Sequence, residues 1–490
     1  MGFKDILVLA LTHPDDLRTL IQYWAYYEPM RDITSPRDYA TSGWNRKSMR
    51  RCWELLDKTS RSFAAVIKEL EGDLARVICL FYIVLRALDT VEDDMTLPND
   101  VKMPLLRSFH QKILSPGWNF TDSKEKDAVV LVEFPNVTEE LLSLEPEWRE
   151  VIVDICEKMQ MGMADYAHRA VVLGEISLPT IEDYDLYCHY VAGLVGEGLS
   201  RLFSATGKEA PWLAEQLELS NSMGLLLQKT NIIRDFREDA DDRRYFWPRE
   251  IWADPVYGHG VPAKDIHQLH APGEEERAAW VQSAMILDAL RHATDALDYL
   301  RLLRNQSVFR FCAIPAVMAL ATLDVCFMNP AMFHRNVKIR KAQAARLIMR
   351  ATNPRDVAYL FRDYARSIHS KSSPKDPSFL KISVMTAKIE QWAEHHYPSF
   401  VEIMHSRASG SASARYNPDD PRSVLARALE AQEAARVAEE RAVARGEAPL
   451  PLEPREGSWA EVALFIGGAL ALVFGVAGVV VYGVLYLYPN

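Results

Sequence analysis

The chain lacks most of the marks of secreted, redox and nucleic-acid-binding proteins. Its six cysteines (Cys52, Cys79, Cys156, Cys188, Cys312 and Cys326) are scattered through 490 residues with no C-x-x-C pair. That excludes a secreted disulfide scaffold, and cysteines inside apolar helical runs read as reduced core residues of a cytosolic environment. Basic residues are outnumbered, 56 against 67 acidic, a net charge of −11; non-specific binding to nucleic acid is not expected of such a chain. No sustained alternation of β-branched residues occurs. Val129–Val132 is the one strand-like scrap, in an expected loop. There is no internal repeat, no G-x-G-x-x-G following a strand and no signal-peptide pattern, because the apolar run Ile6–Leu11 is short and broken by Thr12-His13-Pro14-Asp15-Asp16.

What is present is a large supply of core-forming residues, 49% hydrophobic and 10% aromatic, which excludes a disordered or fibrous chain. Apolar residues recur at three- and four-residue spacing through 63–88, 149–173, 183–203, 222–239, 278–303, 311–327 and 382–394, so the expected fold is all-α. Residues 1–405 read as one large helical domain around an apolar cavity. Residues 406–458 turn small, polar and then Ala-, Glu- and Arg-rich, a flexible and helical spacer. Residues 459–488 read as a membrane anchor. From Val462 to Tyr488 no residue is charged, a run of 27; at 1.5 Å per residue that is about 40 Å against roughly 30 Å of hydrocarbon. Trp459 at one end and Tyr482, Tyr486 and Tyr488 at the other suit the two interfaces, and Arg441, Arg445 and Arg455 before the span keep the bulk of the chain cytosolic. A buried core helix is the alternative, and it needs the last segment to be wrapped by protein.

Two acidic elements carry the chemistry. Asp89-Thr90-Val91-Glu92-Asp93-Asp94 ends the apolar run Val77–Leu88, and on a helix Asp89, Glu92 and Asp93 share one side. Asp235-Phe236-Arg237-Glu238-Asp239 repeats the spacing 146 residues on (235 minus 89). It continues a stripe formed by Gln228 and Asn231 on an oily helix. Converging carboxylates repel unless a cation bridges them, and oxygen-only ligands suit Mg²⁺ held together with phosphates. Arginines accompany both elements: Arg61, Arg86, Arg234 and Arg244. They fit guanidinium forks for a diphosphate, or salt bridges to the same acids. Gly193, Gly196 and Gly198 lie in a helical pattern and suggest close helix approach, or room for a bound chain, rather than a nucleotide loop. His259, His267 and His270, without cysteine partners, do not suggest zinc.

Ser60–Ile67, Leu85–Asp94, Tyr187–Gly196, Gln228–Asp235, Phe246-Trp247-Pro248, Arg304–Phe309 and Val337–Lys341 resemble the squalene synthase family. The resemblance covers roughly residues 40–400 and agrees with the expected anchor. The acidic pair alone fits phytoene synthases as well; Val337–Lys341 and the anchor favour squalene synthases. The resemblance implies an isoprenoid-synthase-like fold and head-to-head joining of two farnesyl diphosphates through presqualene diphosphate, followed by reduction with NADPH. It implies Mg²⁺ ligation by Asp89, Glu92 and Asp93 at one diphosphate and by Asp235 and Asp239 at the other. Ser60, Arg61, Arg86, Gln228, Asn231, Arg234 and Arg244 would bind the diphosphates. Lys338 and Arg340, with Arg61, Arg86 and Arg234, would bind the reductant. Tyr187 matches the tyrosine implicated in proton loss. Its unperturbed pKa near 10 makes it a poor base unless a cation such as Arg61 or Arg86 lowers it, and the released pyrophosphate is the alternative base. Phe309 and Phe311 could face a carbocation or simply pack. A monomeric catalytic domain on the cytosolic face of the endoplasmic reticulum is expected. Two rivals remain open: a reductant-free head-to-head synthase, and a tail-anchored adaptor whose acidic helices bind Ca²⁺ or proteins.

Overall fold

A computed structural model describes residue 9 and residues 12–399, except 28, 30, 174, 175, 243, 254–265, 267, 268 and 270, and scattered positions between 434 and 445. The expected anchor, most of the spacer and the three loop histidines lie outside the described residues. The chain divides into two units, Met1–Ser399 and Phe400–Asn490, and the first is all-helical as expected.

Two helices organise this unit. One, α4 (Leu74–Asp93), is preceded by α1 (Pro14–Tyr26), α2 (Lys47–Thr59) and α3 (Arg61–Lys68). It is buried on nearly every face, from Leu74 to Val91, which its continuous apolar run Val77–Leu88 requires. It packs on α2, α5 (Pro146–Leu173) and α7 (Leu194–Ala205), with α6 (Ile181–Cys188) preceding α7 through a π-helical turn, His189–Gly193. The second central helix, α8 (Leu217–Arg234), packs on α7, α10 (Glu275–Leu290), α11 (Ala293–Leu302) and α12 (Gln306–Cys326). Short α9 (Phe236–Asp241) follows α8, and α13 (Lys341–Arg350) follows α12.

Helices α7 and α8 approach closely enough that side chains cannot intervene. A Cβ on Gly196 would sit 2.3 Å from the Ser220 carbonyl oxygen, and one on Gly224 would sit 2.4 Å from that of Ala192. Gly198 likewise faces Phe81 of α4. These glycines serve helix packing, the role their helical setting suggests.

Three local expectations are corrected. Val129–Val132 is a helical turn rather than a loop. The described residues contain one short parallel pair, Ile176–Ser177 with Arg244–Tyr245, too brief to leave a period-two signal. The polar stripe of α8 does not run on through residue 239, because the helix stops at Arg234 and restarts at Phe236. All six cysteines are buried and unpaired. Among the described residues one helix, α12, is long and apolar enough to cross a membrane, and 72% of its most apolar window is buried in the fold. It is a core helix.

Candidate active site between the two central helices

Between α4, α7, α8 and α12 lies a cavity of about 260 Å³. Its wall is mostly apolar and aromatic, including Phe81, Leu85, Val195, Leu227 and Phe311, while Arg86, Asp89, Gln228 and Asn231 add polar groups. A second cavity of about 450 Å³ is lined by Tyr23, Tyr27, Ala65, Arg234, Met318 and Lys338, among others. Phe63, Leu227, Asn231 and Pro315 line both. The two spaces therefore share a wall, and each has its own cationic group, Arg86 or Arg234.

The acidic elements occupy the C-terminal ends of α4 and α8, where the helix dipole disfavours negative charge. Burial, together with Asp93 and Asp127, outweighs Arg86 and raises Asp89 to a pKa of about 6. Burial, aided by Asp235 and Asp93, outweighs Arg244 and raises Asp239 to about 7. Glu92 is pushed up as well, by burial and then by Asp93. The compensating cations are few. Arg86 Nη1 lies 3.7 Å from Asp89, and Arg234 forks onto Asp235 at 2.8 and 2.5 Å. Arg244 is the link between the elements: it donates to Asp93 and, at 3.1 Å, to Asp239. The short parallel strand pair fixes the backbone from which it reaches.

Among the described residues no three acidic, imidazole or thiol groups close on one point in a metal-ligating cluster. Asp235 and Glu238 instead accept from Asn336 Nδ2, each at 2.9 Å. Mg²⁺ bound through one or two carboxylates plus phosphate oxygens requires no such cage. The donor set is oxygen-only, and its members are raised by burial first and by one another second; a hard dication fits such a set.

Tyr187 stacks on Phe246 (centroids 4.9 Å apart) and meets Tyr166 edge-on at 5.1 Å. Burial, then Glu92 and Asp93, hold its phenol well above 10, and the cation opposing them is Arg244. Arg86, one of the two cations that could have lowered it, is not the one that opposes them. Phe311 lines the first cavity, but Phe309, almost fully buried, is not among the residues lining either one. Two residues apart on α12, the rings point roughly 200° apart. The backbone of Arg61 opens α3, and its side chain lies outside the described residues. Ser60, just before α3, is buried with no hydrogen-bond partner for Oγ. It lines a third pocket with Arg86, Lys58 and Lys126; these two lysines were not picked out in the sequence, where nothing ties them to Arg86. Lys338 reaches the second cavity, whereas Arg340, 60% exposed, pairs with Asp16 at 3.0 Å. Both lie before α13 in the irregular stretch 336–340, as their two-residue spacing demands if they are to serve one ligand. Tyr23 and Tyr27 were also missed, because their helix precedes every motif.

An all-helical body with paired apolar cavities, each beside an acidic helix end, defines the class of prenyl-diphosphate-handling enzymes. The squalene/phytoene synthase family model matches residues 56–343, and the chain belongs to that family. It is 58% identical over 439 residues to the squalene synthase of Ganoderma lucidum, covering 88% of this chain and 93% of that one. It is 51% identical over 364 residues to that of Schizosaccharomyces pombe, covering 74% and 78%. A solved complex of TcSQS with the ligand E5700 superposes with a TM-score of 0.66 at 38% identity, covering 71% of this chain and 98% of the other.

Proposed function

We propose that the chain is a squalene synthase: it joins two farnesyl diphosphates head to head to presqualene diphosphate, then reduces that intermediate to squalene with NADPH, for sterol biosynthesis. The observation that carries this reading is the pair of apolar cavities sharing a wall. Two prenyl chains fit side by side with their reacting ends near Asn231, and the oily lining keeps water from a carbocation.

Asp89, Glu92 and Asp93 on one side, with Asp235 and Asp239 on the other, would hold Mg²⁺, which when bound neutralises the departing diphosphate. Arg86 is the chain's own phosphate partner at the first cavity, with Ser60 and Lys126 in the neighbouring pocket that Arg86 also lines, and Arg234 is at the second. Forming the cyclopropane breaks one C–O bond, makes the carbon–carbon bonds of the ring and expels a proton. That proton would go to the released pyrophosphate; Tyr187, buried between Phe246 and Tyr166, lines neither cavity. NADPH, when bound, supplies hydride in the second half-reaction; Lys338 beside Arg234 offers its phosphates a cationic edge without a dinucleotide fold. The uncharged segment Val462–Tyr488 would anchor the enzyme in the endoplasmic reticulum membrane, with the catalytic unit in the cytosol.

Product analysis of the full chain with farnesyl diphosphate and Mg²⁺ tests the reading. Squalene with NADPH and presqualene diphosphate without it are expected. A polyene formed without reductant would establish the phytoene or dehydrosqualene type instead, and absence of Mg²⁺-dependent pyrophosphate release would overturn the enzyme reading altogether. Lys338→Glu should weaken NADPH binding, so that presqualene diphosphate accumulates while pyrophosphate release continues.

A further inference from the structure

Helix α1 is amphipathic in the reverse sense for a surface helix. Its inward face is polar and aromatic: Asp16 pairs with Arg340 at 3.0 Å, Thr19 accepts from Arg346 at 3.1 Å, and Tyr23 stacks on Tyr27 with centroids 4.6 Å apart. Tyr27, just beyond the helix, donates to Glu69 and accepts from Arg310 at 3.2 Å. Its outward face carries the apolar side chains. Pro14, half-buried Leu17, Ile21, Trp24 and Ala25 fall at helical spacing on one stripe, flanked by exposed Arg18 and Gln22. Trp24 is 86% exposed, the most exposed large apolar side chain among the described residues, and Ile21 is 55% exposed. Tyr26, at the helix end, is 78% exposed. A soluble surface has no reason to turn Trp, Ile and Tyr outward while burying Asp and Thr.

We infer that α1 is a membrane-contacting helix: its outer face lies in the headgroup region of a lipid bilayer while its inner face walls the second cavity. Tryptophan and tyrosine favour that region because each has an apolar body and a polar tip. A helix lying in the interface presents such a stripe. Two further observations select lipid over other partners. The 27-residue uncharged run Val462–Tyr488 is long enough to span a bilayer, which would keep the catalytic unit within reach of one. Tyr23 and Tyr27 line a cavity whose contents, on the function proposed above, end as a hydrocarbon with negligible water solubility. An exit beside lipid spares that product passage through water.

The contact is tested on the full chain in phosphatidylcholine vesicles, without reference to activity. All six native cysteines are buried, so Ile21→Cys takes a fluorophore selectively, and Glu147→Cys on the exposed first turn of α5 is the control. Nitroxide-bearing lipid should quench the dye at position 21 and spare the dye at 147, and adding Trp24→Glu should weaken the quenching. Equal quenching at the two sites, or none at 21, would overturn the proposal. So would a dye at 21 that is shielded from a water-soluble quencher yet not quenched by the nitroxide lipid, because the chain's own residues 1–11 or a second copy would then cover the stripe. Failure of the squalene assay would leave this readout intact, so the two readings fail separately.

Discussion

Helix α8 carries two clusters of buried charge, one on each side, and they obey opposite rules. On one side Lys229, fully buried, donates to Asp185 and Asp288 at 2.5 Å each, and Arg291 reaches the same two carboxylates. Two cations meet two anions. Burial would raise Asp185, but Lys229 and Arg291 outweigh it and hold it below its ordinary value. On the other side five acids, Asp89, Glu92, Asp93, Asp235 and Asp239, share three arginines and Lys102, and Asp89 and Asp239 stay raised to about 6 and 7. The saturated cluster is structural, joining α6, α8 and α10. On the function proposed above, the undersaturated one would keep its negative charge for a ligand that brings its own cation. Burial pushes the acids up in both clusters, and only in the first do the paired cations outweigh it.

The comparison is broken most severely by Lys229→Met, which leaves Asp185 and Asp288 with Arg291 alone. Removing one partner from a buried pair costs about 3–5 kcal/mol, so urea denaturation should show a loss of that order, with activity falling only as the protein unfolds. Asp89→Asn should do the reverse. It relieves repulsion, so the melting temperature holds or rises, while pyrophosphate release drops by about 10²–10³-fold, the scale of losing one preorganised electrostatic contact. Asp235→Asn should cost less than Asp89→Asn, since Arg234 and Asn336 already satisfy Asp235; equal losses would erase that distinction. The most gradual effect, spread over several pH units, is a pH dependence that belongs to the structural cluster. His292 beside it is held neutral, its pKa lowered to about 3 by burial and then by Lys229 and Arg291. The unfolded chain takes up that proton near 6.5, so stability is fully present above 6.5 and is lost as pH falls from there toward 3. The limit is about 1.4 kcal/mol per pH unit. His292→Gln should flatten this acid limb in melts of the full-length protein, and an unchanged slope would remove His292 from the account.

Helix existence, the two acidic elements and the Gln228–Asn231 stripe were legible because periodicity and spacing are local properties. The glycines at 196 and 198 were legible in part: a helical setting pointed to close approach or to cavity room, and Gly196 does both while Gly198 packs on Phe81. Lys229 carried a signal that went unread: a lone lysine amid Leu225-Leu226-Leu227 and Ile232-Ile233 must be buried and paired. Nothing in the sequence tied Arg244 to Asp93, 151 residues away, or showed that α1 walls a cavity bounded by Lys338.

The order of residues along the chain determined an all-α body, two oxygen-rich helix ends and arginines beside them, because each is encoded within a few turns of one helix. Tertiary structure decided the rest. It set which acids Arg244 bridges, that Phe311 rather than Phe309 lines the first cavity, and that Tyr187 is buried between Phe246 and Tyr166 with its phenol held above 10. Those outcomes depend on burial and on charges brought together from distant segments, and an isolated stretch of chain has neither.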